Sequence, residues 1–279
     1  MRIGMNTLLW SFNTREEHFP IFGDLQAIGF DGIELQISED NEAHYAKAGK
    51  VIADLGMTAT GVAGVPEDCN PASSDPAQRQ RGLDYLRSQI DKTVALGGDV
   101  LGGPLHSSFK VFTGQGPTED ELAWSADVLR TAADHAQNAG IRLALEFLNR
   151  FECYLLNTTG QTLALLDRID HPAVGVHYDT HHAHLEEQDV GAAIRAAGDR
   201  IYHVHISESD RGTPGRGQVR WNETFEALQE IGYDGWLTIE AFGRIDTEFA
   251  AAVHIWRDLY PSPEQVYKEG FSLIQKMWG

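Results

Sequence analysis

Short apolar runs rich in β-branched residues alternate along the chain with longer segments whose apolar positions recur at helical spacing. The runs that read as strands are RIGMNT (2 to 7), GIELQ (32 to 36), MTATG (57 to 61), DVLGG (99 to 103), RLALE (142 to 146), VGVHY (174 to 178), IYHVHI (201 to 206) and WLTIE (236 to 240). Between them lie helical patterns such as AQRQRGLDYLRSQIDKTVALGG, with Leu83, Leu86, Ile90 and Val94 on one face and Gly97 or Gly98 as the stop. The segment PSPEQVYKEGFSLIQKMW predicts one further helix at the C-terminal end.

Two near-copies punctuate this βα alternation, AIGFDGIEL (27 to 35) and EIGYDGWLTIE (230 to 240). Each stops a helix with Gly, turns on Asp-Gly and starts a strand. Equivalent units at opposite ends of a chain suggest a closed ring, and eight units of about 30 residues match the size of a (β/α)8 barrel. The expected fold is therefore an α/β TIM barrel with an extra C-terminal helix, one domain over residues 1 to 279. An open doubly wound sheet competes, but no GxGxxG follows the first strand.

Composition narrows the partners. The net charge of −19, from 22 Lys and Arg against 41 Asp and Glu, argues against nucleic acid or an anionic membrane surface. Cys69 and Cys153 stand far apart with no CxxC spacing, so neither a disulfide framework nor a thiolate zinc site is indicated. With no secretory h-region at the N-terminus and no apolar run of membrane-spanning length, the expectation is a cytoplasmic protein.

In such a barrel, chemistry gathers where the strands end. The fifth strand ends in Glu146, the sixth runs into Asp179, the seventh carries His205 and the eighth ends in Glu240, successive residues lying 33, 26 and 35 positions apart. That spacing, one βα unit each time, lets all four point into one cavity. Three carboxylates and an imidazole form a hard, oxygen-rich ligand set that suits Mn²⁺ first, with Mg²⁺ or Co²⁺ as alternatives.

The segments ALEFLNRFECYLLNT (144 to 158), HYDTHHAHLEE (177 to 187), HVHISESDRGTPGRGQV (203 to 219) and GYDGWLTIEAFG (232 to 243) closely resemble the signature segments of the ketose 3-epimerases. This is the D-tagatose, D-allulose (D-psicose) and L-ribulose 3-epimerase group of the xylose-isomerase-like barrels. The resemblance implies that Glu146, Asp179, His205 and Glu240 bind the divalent metal. It further implies that Glu146 and Glu240 exchange the roles of base and acid at C3, and that Glu152, His182 and Arg211 contact the sugar. It also implies a homodimer or homotetramer.

His106, in GGPLHSS at the end of the fourth strand, is a candidate contact for the far end of the sugar. Trp10, just past the first strand, is a candidate apolar wall. His181 and His184, where relatives carry other residues, belong either to the pocket edge or to solvent. An aldose-ketose isomerase, a hydroxypyruvate-type isomerase or an inosose dehydratase would use much the same metal set. A metal-free sugar-binding protein on the same scaffold is the alternative of another class.

Overall fold

A computed structural model describes residues 1 to 38 and 41 to 279. Among these residues eight parallel strands close into a barrel in chain order, β8 pairing with β1. The strands are β1 (Arg2–Asn6), β2 (Gly32–Gln36), β3 (Thr58–Val62), β4 (Gly98–Gly103), β5 (Arg142–Glu146), β6 (Val174–Asp179), β7 (Ile201–Ile206) and β8 (Trp236–Ile239). Each expected strand is found within a residue or so of its expected bounds, and Glu240 lies one position beyond β8.

The helices are α1 (Pro20–Ile28), α2 (Glu42–Asp54), α3 (Pro76–Leu96), α4 (Glu119–Ala139), α5 (Thr159–Ile169), α6 (Thr180–Glu186), α7 (Val190–Ala197), α8 (Trp221–Glu230), α9 (Thr247–Ala252) and α10 (Pro263–Trp278). Their ends follow local chemistry. In α4, Thr118 and Glu121 form a reciprocal capping box at the start, and Gly140 at φ 75° closes the other end in the left-handed region. The expected C-terminal helix is α10, which packs against α8, β8 and β1. The short helices α6 and α9 sit in the loops that follow β6 and β8, on the rim where the site is built.

The two near-copied segments end up on either side of β1, because they lead into β2 and β8 and both strands pair with β1. In the first copy Gly29 adopts φ 112° to leave α1, and the Asp31 carboxylate accepts a hydrogen bond from the Ile3 amide at 2.8 Å, tying the turn to β1. The lower part of the barrel is filled by Trp236, Val100 and Ala144. Room for the indole comes from a neighbouring strand: a Cβ on Gly32 would stand 2.4 Å from the Trp236 ring and 2.6 Å from the Thr58 carbonyl oxygen.

Candidate active site

Above this apolar floor the barrel interior turns polar. Glu146, Asp179, His205 and Glu240 are all buried, and the atoms they offer lie within 4.8 Å of one another. Each arrives from a different strand end, which is why residues spread over a third of the chain meet. His205 Nδ1 stands at the middle of the group, 3.4 Å from Glu240 Oε1, 3.6 Å from Asp179 Oδ2 and 4.0 Å from Glu146 Oε1. That nitrogen is buried and makes no hydrogen bond among the described residues.

The two oxygens of Asp179 divide the labour. Oδ1 caps α6 by accepting from the amides of His181 and His182, at 2.6 and 3.2 Å, while Oδ2 faces the centre. Arg211 closes the group from above: one guanidinium nitrogen donates to Asp179 Oδ2 at 3.0 Å and to Glu240 Oε2 at 2.6 Å, with the Phe242 ring 4.5 Å beneath its carbon. Burial opposes ionisation of Asp179, but the Arg211 guanidinium prevails and holds its carboxyl well below the usual carboxylate range. Burial pushes Glu146 the other way, well above that range, and the charges of Asp179 and Glu240 add to the rise although His205 opposes it.

His182 is buried, and its protonation follows from its partners. The Asn149 backbone amide donates to Nδ1 at 3.0 Å, and the Arg211 guanidinium faces Nε2 at 2.9 Å, with Glu146 Oε1 3.6 Å from the same nitrogen. Burial and the nearby Arg211 charge keep the ring neutral. Asn149 also donates from its side chain to Glu152 Oε2 at 3.0 Å, so Glu152 and His182 are held by one residue.

A cavity of about 760 Å³ opens over the centre. Glu146, Glu152, His182, Arg211 and Glu240 line it together with Leu8, Phe12, Gln36, Phe242 and Phe249. Polar groups thus converge on its floor, and aromatic faces form part of its walls. Two sequence candidates fall outside. His106 is fully buried and is not among the residues lining the cavity. Its Nε2 donates to the Glu146 carbonyl at 2.9 Å, and burial lowers its pKa to about 4, so it braces the end of β5 as a neutral ring. Trp10 packs on Tyr267 of α10, ring centroids 6.0 Å apart, and the apolar wall near β1 comes from Leu8 and Phe12 instead.

His181 is a strut between two rim loops. Its Nδ1 sits 3.0 Å from the Glu208 carbonyl, and burial, with Arg211 nearby, lowers its pKa to about 3. The Glu208 side chain organises the loop that carries Arg211, accepting from the amides of Ser209, Gly215, Gln218 and Val219 and from the Trp221 indole, at 2.7 to 3.2 Å. Arg211 itself has φ 64°, a strained value for a side chain of that size that the cradle holds in place. Glu208→Ala strands these amides, at roughly 1 to 3 kcal/mol for each that stays buried. The expected result is faster tryptic cleavage at Arg211 and Arg216 with unchanged far-UV circular dichroism; an unchanged cleavage rate would show that the loop is held by something else.

Sequence reasoning missed Glu34, Asn149, His177 and His203. His177 and His203 lie fully buried below the centre, and their rings meet nearly at right angles, centroids 4.7 Å apart. The signal for Glu34 was present: a carboxylate in the interior of an apolar strand, flanked by Ile33 and Leu35, needs a buried partner.

The xylose isomerase-like TIM barrel family model matches residues 22–277. The L-ribulose 3-epimerase of Mesorhizobium japonicum is 34% identical over 98% of this chain and 93% of its own length. The D-psicose 3-epimerase of Agrobacterium fabrum is 31% identical over 93% of this chain and 91% of its own. The crystal structure of the D-allulose 3-epimerase from Methylomonas sp. in complex with D-allulose superposes with a TM-score of 0.93 at 28% identity, covering 99% of this chain and 97% of that one. By this agreement of sequence and architecture, the chain belongs to the xylose isomerase-like TIM barrel family and, within it, is an isomerase of the ketose 3-epimerase group.

Proposed function

We propose that this protein is a divalent-cation-dependent epimerase that inverts C3 of free ketoses, of the D-tagatose/D-sorbose, D-fructose/D-allulose or L-ribulose/L-xylulose type. The observation that carries the reading is the placing of two cavity-lining carboxylates, Glu146 from β5 and Glu240 from β8, around one unpartnered imidazole nitrogen. The donor set fits the cation: three buried carboxylates surround His205 Nδ1, an arrangement that needs a positive charge there, a proton when no metal is bound and a cation in its place when the ring is neutral. Glu146, Asp179, His205 and Glu240 would hold Mn²⁺, with Mg²⁺ or Co²⁺ as alternatives. The bound ion supplies Lewis-acid polarisation of the ketone and neutralises the charge that develops on its oxygens.

The protein's own groups do the rest. Inverting C3 requires removal of its proton from one face and delivery to the other, with a cis-enediolate between. One of the two glutamates takes the proton as a carboxylate and the other, as a carboxylic acid, gives one back, so no net proton is consumed and the roles swap with direction. His182 and the Arg211 guanidinium, paired at 2.9 Å, would position the oxygens of C1 to C3, while Glu152 orients the O2 side. A homodimer or homotetramer in the cytoplasm completes the proposal.

Incubation with D-fructose, D-tagatose and L-ribulose plus Mn²⁺, followed by product separation, tests the reading. C3 epimers are expected; an aldose or a dehydrated product would overturn it.

Cation affinity is expected to rise with pH. Burial works against a charged His205, yet the carboxylates of Glu240 and Glu34 hold its pKa well above the ordinary imidazole value, and the Glu146 pKa is raised too. Both groups therefore hold protons in the cation-free protein below their raised pKa values, and ligation must expel them. Affinity should weaken about tenfold per pH unit for each proton released as pH falls through that window. Calorimetry of Mn²⁺ binding in two buffers of different ionisation enthalpy counts the protons; a count of zero contradicts the expectation.

A further inference from the structure

Glu34 is fully buried inside the barrel, does not line the cavity and has no Lys or Arg within ion-pair reach among the described residues. A carboxylate so placed is costly unless its acceptors are filled, and here each oxygen meets two groups. Oε1 accepts from Asn6 Nδ2 at 2.9 Å and lies 2.6 Å from His205 Nε2. Oε2 accepts from Thr60 Oγ1 at 2.8 Å and lies 2.7 Å from His203 Nε2.

We propose that Glu34 is the positioning residue of the cation centre. By accepting from His205 Nε2–H it fixes the ring's orientation, so that Nδ1 is the atom turned to Asp179, Glu146 and Glu240. The inference rests on the function proposed above. A ring flip about Cβ–Cγ puts the carbon Cδ2 where Nδ1 stood and Cε1 where Nε2 stood, so only one placing of the ring, and one tautomer, leaves a lone pair for the ion. A carboxylate on the far nitrogen selects that placing and makes the near nitrogen a better donor. Glu34 cannot itself drift, because Asn6 on β1 and Thr60 on β3 hold its two oxygens. The half of the barrel that provides none of the four ligands thus sets how one of them is presented.

The test uses the full chain and Mn²⁺ alone, titrated at fixed pH against a chromophoric chelator, with the visible spectrum of the Co²⁺-loaded protein as a second readout. Glu34→Gln keeps the shape but turns an amide N–H₂ toward groups that donate. Its Mn²⁺ affinity should fall about 10- to 100-fold, and its Co²⁺ bands should shift. Thr60→Val, which frees one oxygen of Glu34 with little change in volume, should weaken Mn²⁺ about threefold in the same direction. That variant decides the matter if Glu34→Gln does not fold. A lowered melting temperature with wild-type affinity and an unshifted Co²⁺ spectrum would assign Glu34 a purely structural role and overturn the inference. A wild-type chain that binds no Mn²⁺ would overturn the proposed function and this inference together.

Discussion

If Glu240 acts as proposed, Glu240→Gln is expected to lower kcat at saturating Mn²⁺ by at least about a thousandfold while leaving the fold intact, since a positioned acid or base contributes about 10²- to 10⁴-fold and this one would also ligate the ion. Glutamine fills the same volume and still accepts from Arg211 through its carbonyl oxygen, so the buried contact with the guanidinium survives in weakened form. What would disappear, on the proposed mechanism, is the ability to take or give the C3 proton on one face. The variant therefore has a signature beyond lost turnover. In D₂O it should exchange the C3 hydrogen of one epimer, whose proton faces Glu146, and leave the other epimer unlabelled. Mass spectrometry of the recovered sugars reads this directly. Activity within tenfold of wild type, or equal labelling of both epimers, would remove Glu240 from the chemistry.

The second large effect is on stability. Gly32→Ala is expected to destabilise the protein by about 3 kcal/mol, because its methyl would enter the Trp236 ring at 2.4 Å and the Thr58 carbonyl oxygen at 2.6 Å. Trp236 is fully buried and Thr58 belongs to a paired strand, so neither can step aside at small cost. For a chain of this length the melting temperature should fall by roughly 5 to 10 °C. Thermal unfolding followed by circular dichroism checks this. The double variant Gly32→Ala, Trp236→Phe should recover part of the loss, since the smaller ring withdraws from the clash; a Gly32→Ala protein that melts like wild type would mean that β2 and β3 shift freely.

Much of this arrangement was legible in the chain because barrels couple sequence position to space. Polar residues at strand ends, one βα unit apart, converge by topology alone, and Glu146, Asp179, His205 and Glu240 needed no knowledge of side-chain packing to be grouped. Position past a strand end was a weaker guide. His106 and Trp10 both lie just beyond strands, but the backbone after β4 and β1 turns their side chains into the protein, toward the Glu146 carbonyl and toward α10. No periodicity signals such a turn. Glu34 signalled only that it needs a buried partner and not where that partner lies: a strand buried on both faces reads as an apolar run, and alternation cannot say which face a lone carboxylate takes. His181 and Glu208 act across two loops distant in sequence, a pairing that only the folded rim creates.

The pairing of β8 with β1 has a temporal meaning. Residues 236 to 239 pair with residues 2 to 5, so nearly the whole chain must be synthesised and threaded before the ring can shut. That closure joins the most widely separated strands of the barrel, and contacts of such long range form late because the loop entropy is met first. Glu240, one residue past β8, reaches the centre only then. The cation would therefore find its complete set of ligands only on the closed barrel and, by mass action, would draw the folding equilibrium toward that last step.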